Sequence, residues 1–173
     1  QPAEALSHFR RSLEFAELRG RSDPAGVQPL VDIGTASRGI GRALTRLGRT
    51  TDATPFHRRA VTIFEDVAAR DVSNTEWQSE LALAYGATGA LHEALTSSTG
   101  ARDQNLRHWT EARTSYGRAL DIWRRMEAAG TLAGGTLGGF EPRALREMTE
   151  RVEQAEAAAA LLTAPGTARK PGR

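Results

Sequence analysis

Arg38, Arg42, Arg46 and Arg49 recur at spacings of four and three residues. On a helix that spacing makes a single basic row, and guanidinium groups in a row can grip an acidic peptide or a phosphate. The competing use is a solvated face balanced by neighbouring acids. The row overlaps a second stretch with chemical potential, IGTASRGIGRAL at residues 33–44. A glycine-rich turn cradles phosphate when it joins a strand to a helix N-terminus. The segment before it, AGVQPLVDI, carries Pro29 in its middle, and proline cannot donate to the ladder of a central strand. The helical reading accounts for Gly34 and Gly41 as close-approach positions between packed helices. It leaves Gly39 without a role.

The same twelve letters resemble the glycine-rich turn of short-chain dehydrogenases, with the Thr-Gly order reversed at Gly34-Thr35. That resemblance implies a nicotinamide cofactor and a catalytic Tyr-x3-Lys pair. Four residues after Tyr85 stands Gly89, four after Tyr116 stands Leu120, and Lys170 is the only lysine. The oxidoreductase reading is therefore set aside, and no cofactor is expected. His8, His57, His92 and His108 show no short metal-ligand spacing, so no metal is expected either. Ser97-Ser98-Thr99 lacks a nucleophile elbow or a nearby base motif. No catalytic constellation emerges, and the chain is not expected to be an enzyme in itself.

Bulk properties narrow the partner. The chain has 173 residues, 39% hydrophobic and 25% charged, which is ordinary for a folded domain or short array. No apolar run approaches the roughly 20 residues of a membrane span, and no leader is recognisable; a cytoplasmic location is expected. The absence of cysteine excludes disulfides and thiolate metal sites. Net charge is only +2, so charge alone gives no reason to expect nucleic acid. The expected partner is a protein or peptide.

The chain also repeats itself. An offset of 48 places Phe9 on His57, Arg10-Arg11 on Arg58-Arg59, Ile33 on Leu81, Gly34 on Ala82 and Gly41 on Gly89. An offset of 59 then places Ala53 on Ala112, His57 on Tyr116, Ala60 on Ala119 and Ile63 on Ile122. Two segment types alternate, one centred on a Gly/Ala pair and one on an Ala-x3-aromatic pattern. This resembles the tetratricopeptide repeat, a helix–turn–helix unit whose usual period is 34 residues. Each helix here is longer by about two turns, which lengthens it without rotating its buried face. The second unit holds eleven residues more, within 91–109, read as a loop near 97–102.

The expected fold is all-α, with antiparallel helix pairs stacked as a TPR-like α-solenoid. Helices are read at roughly 2–19, 27–48, 53–70, 74–96 and 104–129, with Ser73-x2-Glu76 as a capping box. The first is read as the second half of a truncated repeat, which makes the chain part of something longer. A Gly-rich linker at 131–141 precedes a capping helix at 142–163, whose apolar stripe is Leu145, Met148, Val152, Ala155, Ala159 and Leu162. Residues 164–173 are read as a disordered tail.

The final long helix EARTSYGRALDIWRRMEAAGTL, followed by a Gly-rich break and one more helix, resembles the C-terminal repeat region of bacterial serine/threonine protein kinases. That implies a regulatory or dimerising role, with the kinase domain outside this chain. The leading expectation is a non-catalytic interaction scaffold. By resemblance to other tetratricopeptide domains, its concave face takes Gln28, Val31, Thr35 and Arg38 from one helix, then Glu76, Ser79, Leu83 and Gly86 from the next.

Overall fold

A computed structural model describes residues 1–97, 100–132 and 141–164, the side chains of Glu141 and Pro142 excepted. The described residues form six α-helices and no strand: α1 Pro2–Ser22, α2 Val27–Arg46, α3 Thr50–Arg70, α4 Thr75–Thr96, α5 Arg102–Ala128 and α6 Glu141–Thr163. Each helix packs on the next in chain order, and α2 also touches α4. The links 23–26, 47–49, 71–74 and 97–101 are short, so helices that pack along one another must run antiparallel.

The local chemistry explains the ends. Pro29 lies in the first turn of α2, where its missing N–H has no intrahelical partner to lose. α2 and α5 close on glycines in the left-handed region, Gly48 at φ 72° and Gly130 at φ 67°. Around them Arg49 N–H donates to the Leu44 carbonyl and Thr131 N–H to the Met126 carbonyl, 2.9 Å each, which satisfies carbonyls orphaned at the helix end. The expected capping box at Ser73 is corrected. The N-cap of α4 is Asn74, whose side chain accepts from Trp77 N–H at 3.1 Å. Ser73 is instead held by Asp71, to which both its N–H and its hydroxyl donate.

The length added to the second unit is mainly helical. α3 starts three residues before Ala53, whereas α5 starts ten before Ala112. Ser98 and Thr99 of the link between α4 and α5 lie outside the described residues, as do 133–140 of the Gly-rich linker and the tail from 165.

The core repeats as the sequence does. Val31, Ala60, Phe64 and Val67 form one buried cluster. The positions related by 48 and 59 recur in the next unit, where Ala82, Ala119, Trp123 and Met126 are buried together. Ser79 takes the place of Val31, with its hydroxyl 3.9 Å from Met126 Sδ. Small residues lie at the helix crossings. A Cβ on Gly34 would come within 2.8 Å of Phe64, on Gly41 within 2.9 Å of His57, and on Gly89 within 2.6 Å of Tyr116. Gly39, left without a role by the sequence, lies beneath the ring of Phe9 on α1, which a Cβ would overlap. Phe9, His57 and Tyr116 are the same repeat position in α1, α3 and α5, and each ring is pressed onto a glycine of α2 or α4.

α6 lays Met148, Val152 and Ala155 against Ala112, Tyr116 and Trp109. Its C-terminal carbonyls accept from the Arg102 side chain, which reaches Leu162 and Ala164 at 2.7 Å each. A cation at that end also complements the helix dipole.

Candidate functional site

The first helix of each successive pair, α2, α4 and then α6, borders a cleft of about 360 Å³. That falls in the ~300–1,000 Å³ range of small-ligand and peptide-anchor pockets. Its composition follows from the repeat. On α2 the inward positions are Arg38, Arg42 and Arg46. Moving by 48 lands on Gly86, Ala90 and Ala94 of α4, so one wall is tall and cationic while the floor beside it is low. Leu83, Gly86, Ala87 and Ala90 make that floor, and Trp123 and Met148 close its apolar side. The opposite wall is α6, with Arg143, Glu147 and Arg151.

The five arginines are not equivalent. Arg38 is largely buried and its Nη2 donates to Glu80 Oε2 of α4 at 2.6 Å. Burial lowers its pKa from the ordinary value, against the opposing pull of Glu80, and its Nε finds no acceptor among the described residues. Arg151 Nη1 donates to both carboxylate oxygens of Glu93, at 3.0 and 2.9 Å. Arg42 and Arg46 are exposed, as is Arg143, and these three make no ion pair among the described residues. With Glu80 and Glu93 each neutralising one arginine, three free guanidinium groups face the single carboxylate of Glu147.

Beneath the walls lie two buried rings. His57 is 2% exposed. Its Nε2 is 3.1 Å from Thr45 Oγ1, and the Thr45 hydroxyl donates to the Gly41 carbonyl at 2.9 Å. That hydroxyl has one proton, so Nε2–H donates to it and Nδ1 is the bare nitrogen, without a partner among the described residues. Desolvation brings His57 down to about 4; it is neutral at physiological pH. Tyr116 OH donates to Glu93 Oε2 at 2.8 Å. Burial, then that carboxylate, raises its pKa. Thr45 and Glu93 are themselves related by the 48-residue offset, so both rings use one device: a glycine beneath, and a hydrogen-bond partner one turn further along the facing helix.

The expected concave set divides. Arg38, Leu83 and Gly86 line the cleft. Val31 and Ser79 are buried in the core, 8% and 3% exposed. Gln28 is exposed and donates to Asp32 Oδ1, which in turn takes Arg19 of α1; it faces the α1 side. Thr35 is half-buried and Glu76 exposed, and neither is among the residues lining the cleft. Of the basic row, Arg38, Arg42 and Arg46 come together, while Arg49 lies beyond Gly48 and pairs with Asp52 at 2.7 Å. Sequence reasoning missed the α6 wall and the floor at Ala87 and Ala90. The floor was reachable, because the 48-residue offset projects the arginine row onto it. His57 replaces a packing aromatic and is buried as one.

Chemically, the cleft offers forked donors for carboxylate or phosphate oxygens above a small apolar floor. Comparison with protein-family models, with curated proteins and with solved structures returns no match.

Proposed function

We propose that the chain works by binding, as a protein-interaction scaffold made of long helix–turn–helix repeats of tetratricopeptide type, with α6 as the terminal cap. The observation that carries this is the cleft: α2, α4 and α6, the first helices of successive pairs, line one continuous recess. Stacked repeats of this kind form an extended concave surface. The recurrence of one crossing device at His57 on Gly41 and Tyr116 on Gly89 supports the repeat assignment. The floor of glycine and alanine gives a peptide backbone room to approach.

The test is selection of peptides from a displayed random library on the purified chain, followed by binding to a variant whose floor is filled, Ala90→Trp. Ala90 is exposed, so the substitution leaves the core alone. Selected peptides that bind the parent chain and lose at least tenfold affinity for the filled variant support the reading. A library yielding no binder, or binders indifferent to the filled floor, would overturn it.

A further inference from the structure

We propose that the cleft takes an acidic, extended segment of another polypeptide, with carboxylates on both of its walls and one apolar side chain on the floor. This rests on the reading of the cleft as the partner-binding face.

Charge makes the first argument. Glu80 and Glu93 occupy Arg38 and Arg151, so the residual field comes from Arg42, Arg46 and Arg143 against Glu147. An electropositive recess with low-dielectric walls concentrates anionic ligands. A basic partner would meet three unpaired cations at once.

Spacing makes the second argument. Arg42 and Arg46 are four residues apart on α2, a rise of about 6 Å at 1.5 Å per residue. Alternate residues of an extended chain are separated by about 6.6 Å. A strand-like segment laid along α2 therefore presents residues i and i+2 to Arg42 and Arg46. Arg143 stands on the α6 wall nearer the Arg38 end of the cleft, since Met148 lies over Gly86 and Arg151 reaches Glu93. Two acids at i and i+2 satisfy Arg42 and Arg46, each by a charge-assisted, forked contact, and a further acid towards the Arg38 end of the cleft meets Arg143. The floor supplies the third argument. Leu83, Ala87 and Met148 form an apolar bed between the walls, so a neighbouring Leu or Ile of the same segment removes apolar surface from water.

The experiment uses the whole chain and three fluorescein-labelled nonapeptides, read by fluorescence anisotropy at low salt. The first has four consecutive glutamates beside one leucine; the second replaces the glutamates with glutamine, the third with lysine. A labelled single-stranded oligonucleotide of equal charge serves as a fourth probe. The glutamate peptide is expected to bind at least tenfold more tightly than the glutamine peptide and than the oligonucleotide. R42E/R46E should lose at least tenfold for the glutamate peptide and gain for the lysine peptide. Arg10→Glu, an exposed charge on α1 away from the cleft, should change neither. Because the swapped variant gains a ligand, loss of folding cannot imitate the result.

If the glutamine peptide binds as well as the glutamate peptide, and Ala90→Trp abolishes both, the acidic specificity is wrong while the partner-binding reading survives. If the oligonucleotide binds more tightly than the glutamate peptide, the cleft reads polyanionic nucleic acid and the inference fails. If no probe binds and the displayed library also yields nothing, both readings fail together.

Discussion

Two helix crossings in this molecule are built to one plan and finished differently. At the crossing of α2 and α3, Gly41 sits under His57 and Thr45 takes the ring's hydrogen bond. At the crossing of α4 and α5, Gly89 sits under Tyr116 and Glu93 takes it. The first ends in a neutral pair with one ring nitrogen unpartnered among the described residues. The second continues through Glu93 to Arg151, and so ties the crossing to α6. A repeat thus fixes where a ring and its partner lie, while the identity of the partner decides whether the next helix is recruited.

The largest expected difference between the crossings appears on acidification. His57 is held at about 4 when folded against an ordinary 6.5. Between those values the unfolded chain binds the extra proton and the folded chain does not, so stability is complete above pH 6.5 and falls as the pH drops towards 4. The loss attributable to His57 is about 2–3 kcal/mol by pH 4.5. His92, lowered chiefly by its own burial, acts in the same direction. Urea midpoints at pH 7.5 and pH 4.5 should separate strongly in the parent chain and less in His57→Phe. An unchanged acid limb in that variant would assign the sensitivity elsewhere.

Glycine substitutions come next. In Gly89→Ala the new Cβ would lie 2.6 Å from Tyr116 Cδ1 and 2.9 Å from its Cγ, atoms at the root of a buried ring that cannot swing away. A cost of about 2–3 kcal/mol is expected, or roughly 4–12 °C in Tm. Gly41→Ala meets His57 at 2.9 Å, and should cost less, about 1–2 kcal/mol. Gly117→Ala, with nothing within 4 Å, should gain up to ~1 kcal/mol from helix propensity. Calorimetric Tm values falling in the order Gly117→Ala, parent, Gly41→Ala, Gly89→Ala are the expected result; equal losses at 41 and 89 would mean that the two crossings are equally tight.

Tyr116→Phe removes one hydrogen bond and leaves Glu93 with Arg151, for a loss of about 1 kcal/mol. It should also flatten the alkaline side of the stability profile. Above pH ~10 the unfolded phenol ionises while the buried one resists, so the parent loses stability there. The smallest effect is expected for Arg151→Ala. That pair is partly exposed, at 38% and 25% of the side chains, and such pairs contribute about 1 kcal/mol or less. If Arg151→Ala proves more costly than Tyr116→Phe, the α6 connection rather than the ring dominates the second crossing.

Much of the fold was legible because packing imposes a period. Small residues at 34, 41, 82 and 89 and rings at 9, 57 and 116 repeat since each helix must nest on its neighbour, and the pattern survives the insertion before Ala112. Less of the cleft was legible. Arg38, Arg42 and Arg46 could be placed on one face from their spacing. The transferred concave positions nevertheless drew in Val31 and Ser79, which the core takes. The spacing gives a stripe but not its rotation about the helix axis, and a rotation of one residue position exchanges groove for core. Gly39 was opaque for a related reason: its ring, Phe9, lies on a helix thirty residues earlier.

From its letters alone this chain determined helices, their order, and the small residues that recur at their crossings, because periodicity and steric size act locally along one helix at a time. Only the tertiary structure decided which arginines remain free. Glu80 reaches Arg38 from α4, Glu93 reaches Arg151 from α4, and α6 brings Arg143 to the cleft that Arg42 and Arg46 line. A guanidinium group stays available to a partner when too few carboxylates reach it, and reach is a property of distances between helices, not of positions in a chain.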